Sequence, residues 1–266
     1  MKKILLLTLT ATLLMSSTAP RPVDLHRVMG RFDQAFIPFW FVTEAGDMTG
    51  AREHLIYLAF RRQHLERTLH MVFPEGPWTE HLDRASGWLD DAFLSVETGN
   101  LHLASISLDH ALFEMMALRR SLSISDYYLD GLYQLHSSLD ILTEVTEDQK
   151  MCLLEWAEVE QMIAQLRQDW QTIASRQPEA DTYDLSTARV EALQECYQRI
   201  SQNMALLEVR LKQAQRTELA KAVTDTHASV LQAIRLFGHF EDASVFYAEP
   251  QGVKQYDSKF FSHESN

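Results

Sequence analysis

The chain has 266 residues, 46% of them hydrophobic, with mean hydropathy −0.20, 37 acidic against 24 basic side chains and a formal charge of −13. That balance excludes nucleic acid, whose phosphates need a basic footprint, and it argues against an anionic membrane surface. The length suits one large domain or two of ordinary size, and nine Gly with seven Pro leave few turns, as a helix-dominated fold requires.

Residues 1–20 have the form of a secretory signal. Lys2 and Lys3 precede an apolar run from Ile4 to Met15, and Ser16, Ser17, Thr18 and Ala19 follow. Charged, apolar and small-residue parts in that order direct export and cleavage. The run is short for a membrane span, and no cysteine follows it for a lipid anchor. A periplasmic or secreted protein is expected, with no stable membrane span once the signal is removed.

A first helix is expected from about Val23 to Ala45, kinked at Pro38 within the dense run Phe36 to Phe41 and closed by Gly46. A second runs from Thr49 to Phe73, with Leu55, Leu58, Leu65, Leu69 and Val72 inward. Pro74 to Pro77 breaks the chain. A third helix spans Trp78 to Thr98 and ends in a Gly99–Asn100 cap.

The stretch Leu101 to Val145 reads as the pivot of the chain: two helices end to end, the first closing one half and the second opening the other. Leu103, Ile106, His110, Phe113 and Ala117 form one stripe, and Leu101, Leu108, Leu112 and Met115 form another on the opposite side. A helix apolar on two faces is expected to be sandwiched between neighbours. Ser123 and Asp126 form a capping-box-like start for the next helix, which carries Tyr128, Leu132, Leu135, Leu139 and Leu142; Gly131 in its interior marks a close helix approach or a weak spot.

Thr146 with Gln149 reads as another capping box, opening a helix to Ala174. After the loop Gln177 to Asp181, helices from Asp184 to Ala214 and on to Phe237 complete the set, the last with the seam Ala220, Val223, His227, Val230, Ile234 and Phe237. Cys152 and Cys196 lie at different levels of one hairpin, so two separate thiols are expected. The tail 239–266 loses the helical period but keeps enough aromatic residues to dock in part.

The halves can be superposed: Gln34 on Gln134, Phe39 on Leu139, Thr43–Glu44 on Thr143–Glu144, and later His110 on His227 and Leu118 near Ile234. The expected fold is all-α: after the signal segment, two tandem up-down-up-down four-helix bundle units, 21–122 and 123–238, from an internal duplication.

Chemistry-bearing patterns are few. C-x-x-C-H is absent, which excludes covalent haem, and no E-x-x-H occurs, as a carboxylate-bridged di-metal bundle would need. There is no G-x-S-x-G and no glycine-rich phosphate loop. His110 and Glu114, four apart on one helix, with His227 in the equivalent helix, are the candidate metal ligands; eight of the eleven histidines precede residue 140, so zinc or copper is the alternative cargo. The competing reading makes His110 and His227 core histidines and the others surface ones. Phe36, Trp40 and His136 are the candidate lining of a site for an apolar ligand. Arg61–Arg62 and Arg119–Arg120 read as solvated pairs. The functional expectation is a non-enzymatic exported bundle, without cofactor, that binds a partner protein or small ligand; the alternative is a metal-handling protein.

Overall fold

The computed structural model describes residues 23–124, 126–147, 153–178 and 180–240. The signal-like segment 1–20, Cys152, Gln149 and the tail beyond Phe240 lie outside the described residues. Among the described residues there are eight helices and no strand: α1 (Leu25–Glu44), α2 (Met48–Val72), α3 (Pro77–Glu97), α4 (Leu101–Ser121), α5 (Tyr128–Glu147), α6 (Leu153–Ala174), α7 (Thr187–Lys212) and α8 (Arg216–Arg235). Each of α1 to α4 packs on the next and α4 returns to α1; α5 to α8 do the same, with α8 on α5. An α1–α8 contact joins the two sets, and one continuous apolar core runs through both.

Local chemistry fixes most ends. Asp24, Asp47, Asn100 and Ser186 each accept a backbone N–H three residues on, at the starts of α1, α2, α4 and α7. Gly46 (φ +73°) and Gly99 (φ +82°) take the left-handed turn after α1 and α3, where a side chain would be strained. Gly99 N–H donates to the Val96 carbonyl and Asn100 N–H to the Ser95 carbonyl, so this pair closes α3 as its sequence implies, while the Asn100 side chain also caps the start of α4.

The centre of the molecule is α1, not the Leu101–Val145 stretch. Every residue from Phe32 to Trp40 is buried, so the helix is covered on all sides. Its neighbours come from both halves. Gly30 lets the loop before α7 approach: a Cβ there would meet the Thr182 carbonyl oxygen at 2.6 Å. Gln34 donates from its side chain to the Tyr183 carbonyl at 2.5 Å. Pro38 lies inside α1, and the backbone N–H it lacks leaves the Gln34 carbonyl free; His239 N–H fills that vacancy. Phe240 then packs on Phe41 and His54, so the tail docks at least that far.

Several expectations are corrected. On α4 the inward stripe is Ala104, Leu108, Ala111, Leu112, Met115 and Leu118; Leu103, Ile106, His110 and Phe113 face solvent, so the helix is not sandwiched. Ser123 and Asp126 do not cap α5. Both are left-handed (φ 56° and 69°), and Ser123 N–H donates to the Arg120 carbonyl in the turn that ends α4. Thr146 does not open α6: it is buried within α5 and bonds back to the Leu142 carbonyl. Val72 is exposed. Arg119 is completely buried rather than solvated, Arg61 lies against Tyr57, and Arg62 pairs with Asp90 at 2.5 Å. Gly131 does mark a close approach, its Cα facing Ile173 of α6. Cys196 is a buried free thiol, its pKa pushed up by burial.

Candidate functional site

Trp40 of α1 stands where α4, α5 and α8 converge. Its ring meets His136 of α5 edge-on at 5.0 Å, and His136 stacks on His227 of α8 at 4.8 Å. His136 Nδ1 and His227 Nε2 lie 2.6 Å apart. A single N–H···N bond requires one nitrogen to carry the proton and the other to be bare, so both rings cannot be charged. Burial, then His227, lowers the His136 pKa to about 4; burial also lowers that of His227, with Asp140 pulling it back. Nearby, Asp109 of α4 is pushed up to about 6 by burial and by Glu44 and Asp140, against the pull of the Trp40 indole N–H that faces it. Ser105 donates to Glu44 at the edge of this group.

Of the residues the sequence singles out, His136, His227 and Trp40 come together here. His110 and Glu114 do not join them. His110 is exposed and stacks on Trp88 of α3 at 4.3 Å, while Glu114 takes His81 Nδ1 at 2.8 Å and Arg84 at 3.4 Å. His110, Glu114 and His227 are therefore held by separate partners, and no group of three or more His, Cys, Asp or Glu among the described residues is placed to hold a metal. Phe36 is buried against Phe32 as core. A small cleft of about 140 Å³ opens elsewhere, between α5 and α6, lined by Tyr128, Gly131, Asp169 and Arg176 among others.

A second polar group joins the halves, with Arg119, Asp33 and Tyr127 buried and Asp130 partly exposed. Arg119, at the end of α4, donates to Asp130 of α5 at 2.9 and 2.5 Å and lies 3.6 Å from Asp33 of α1. Tyr127 donates to Asp33 at 2.5 Å and puts its ring 4.4 Å from the guanidinium. Burial pushes Asp33 up to about 6, although Arg119 and Tyr127 pull the other way; burial lowers the Arg119 pKa, but its two carboxylates outweigh that and hold it firmly charged. The one sequence signal for this group is that Asp33 and Gln34 sit inside a segment apolar on both sides.

The outer face of α4 carries several exposed apolar side chains, as shorter pairs do on α2 (Ile56, Phe60) and α7 (Leu206, Val209). Leu103, Ile106 and Phe113 are 47%, 41% and 53% exposed, with His110 between them. Solvated apolar side chains are ordinary singly; here three of them share one face of one helix. No helix among the described residues is long and apolar enough to cross a membrane.

Comparison with models of known protein families, with curated proteins and with solved structures finds no significant match in any of the three.

Proposed function

We propose that this is an exported helical protein, built by duplication of a four-helix unit (21–122 and 123–238), that works by binding a partner rather than by catalysis. Export is supported by the charged, apolar and small-residue order of residues 1–20.

Duplication is supported by the spacing of buried positions. Leu82, Ala85, Leu89 and Val96 of α3 repeat as Leu193, Cys196, Ile200 and Leu207 of α7. Ala104, Leu108, Ala111, Met115 and Leu118 of α4 repeat as Leu219, Val223, Thr226, Val230 and Ala233 of α8, with the half-buried His227 in the place of Leu112. In this register His227 answers to Leu112, not to His110 as the sequence match alone suggests.

The observation that carries the binding reading follows from the same register. The outward positions Leu103, Ile106, His110, Phe113 and Ala117 of α4 answer to Glu218, Lys221, Asp225, Ala228 and Gln232 of α8, all exposed. A face that only has to meet water is polar, as on α8; on α4 it is apolar. The test places a photo-crosslinking residue at Phe113, with Ala228 as control, in the full chain expressed in its exporting cell. A single defined adduct at position 113, absent at 228, is expected. No adduct, or the same smear at both positions, counts against the reading.

A further inference from the structure

We propose that the outer face of α4 receives an amphipathic helix of a partner protein, one with Lys or Arg flanking its apolar stripe. This rests on the binding reading and names the class of partner.

The geometry favours a helix. Leu103, Ile106, His110, Phe113 and Ala117 follow one another at alternating intervals of three and four, the a and d spacing through which one helix accepts the knobs of another. The row extends along most of a 21-residue helix, too long and narrow for a small molecule. His110 is stacked on Trp88, which fixes an aromatic platform in the middle of the row.

The charge favours a basic helix. Asp109 flanks the row on α4 itself, with Glu44 of α1 and Asp140 of α5 along that side, while Glu114 on the other side is already paired with His81 and Arg84. Arg84, the nearest cation on the other side, is already paired with Glu80 and Glu114; Arg120 stands at the far end of the helix. A second copy of this chain would bring a formal charge of −13 and the same acidic rim. The segment after Phe240 carries five acidic against two basic residues. Like charges oppose both of these occupants and favour a basic one.

The test uses the full chain and two synthetic 21-residue helices with Leu at a and d. One has Lys at e and g and the other Glu, and binding is read by fluorescence anisotropy. The Lys helix is expected to bind at least about tenfold more tightly than the Glu helix. Ile106→Glu with Phe113→Glu should weaken it at least about tenfold, and Ala228→Glu on α8 should not. Ile106→Ser with Phe113→Ser serves as the milder pair if the first does not keep its melting curve. Equal affinity for the two helices, retained binding in both double variants, or a dimer in sedimentation that the double variants abolish would each overturn the assignment. Equal affinity together with a defined cross-link at position 113 would remove the partner class and leave the binding reading standing; a missing cross-link removes the reading itself.

Discussion

The backbone N–H of His239 donates to the carbonyl of Gln34 at 3.0 Å. That carbonyl is the one Pro38 leaves without its helical donor, so a residue beyond α8 completes a hydrogen bond of α1. Gly238 makes the approach possible, since a Cβ there would meet Ile37 at 2.8 Å and Pro38 at 3.1 Å. Removing a proline from a helix interior ordinarily raises stability by about 3 kcal/mol. Pro38→Ala is expected to gain far less, because its new N–H competes with His239 for one acceptor. Urea melts and hydrogen exchange check this: the His239 amide should lose protection in the variant. A gain of about 3 kcal/mol with that amide still protected would refute the account.

Arg119 is the most consequential buried charge. With it gone, Asp33 and Asp130 face each other across the seam between the halves without the guanidinium between them. Arg119→Met is expected to lower stability by about 3–5 kcal/mol, the range for breaking a buried pair from one side. Arg119→Lys should recover little of that, since an ammonium cannot reach two carboxylates and lie flat on Tyr127. Full recovery by Lys in a denaturant melt would show that charge alone suffices.

The period of the apolar residues made the helices and most of their inward faces legible. Leu82, Ala85, Leu89 and Val96, or Leu132, Leu135, Leu139 and Leu142, are buried as their spacing implies. On α4 the same logic yielded two stripes and no means of ranking them, because periodicity states which residues share a face and not whether a neighbour covers it. Arg119 looked solvated because the carboxylates that hold it come from Asp33 and Asp130, on segments that only the tertiary fold brings near. The His136–His227 contact was half legible: both residues stood out, but as members of different sites. Turn residues misled for a local reason. Ser123 and Asp126 carry capping side chains, yet their left-handed backbone serves the end of α4.

The histidine pair sets a pH dependence. An unfolded chain takes up protons on His136 and His227 as pH falls through the ordinary histidine value of about 6.5. The folded chain resists until about pH 4 at His136, and its His227 is also lowered. Folding stability from this pair is therefore present above pH 6.5 and lost as pH falls toward 4. Asp33 and Asp109 act oppositely. Their folded pKa values near 6 lie above the unfolded ones, so each adds stability as pH falls below 6. Comparison with His136→Gln isolates the histidine part: between pH 7 and pH 4.5, wild type should lose about 2 kcal/mol relative to the variant. Parallel stability curves for the two proteins would show that the pair does not titrate as a buried neutral unit.

The two stripes of α4 should separate cleanly in stability measurements. Leu108 and Leu118 are fully buried, and truncating either to Ala leaves a cavity beneath α1 and α3, with an expected loss of about 2–5 kcal/mol. Leu103, Ile106 and Phe113 contact solvent over about half their surface. Polar replacements there, Ile106→Ser and Phe113→Ser, remove no buried contact and should change stability by no more than about 0.5 kcal/mol each. Urea midpoints at unchanged slope give the comparison. If the outer substitutions prove as damaging as the inner ones, the stripe is packed against some part of this same chain, and a partner helix has no free face to meet.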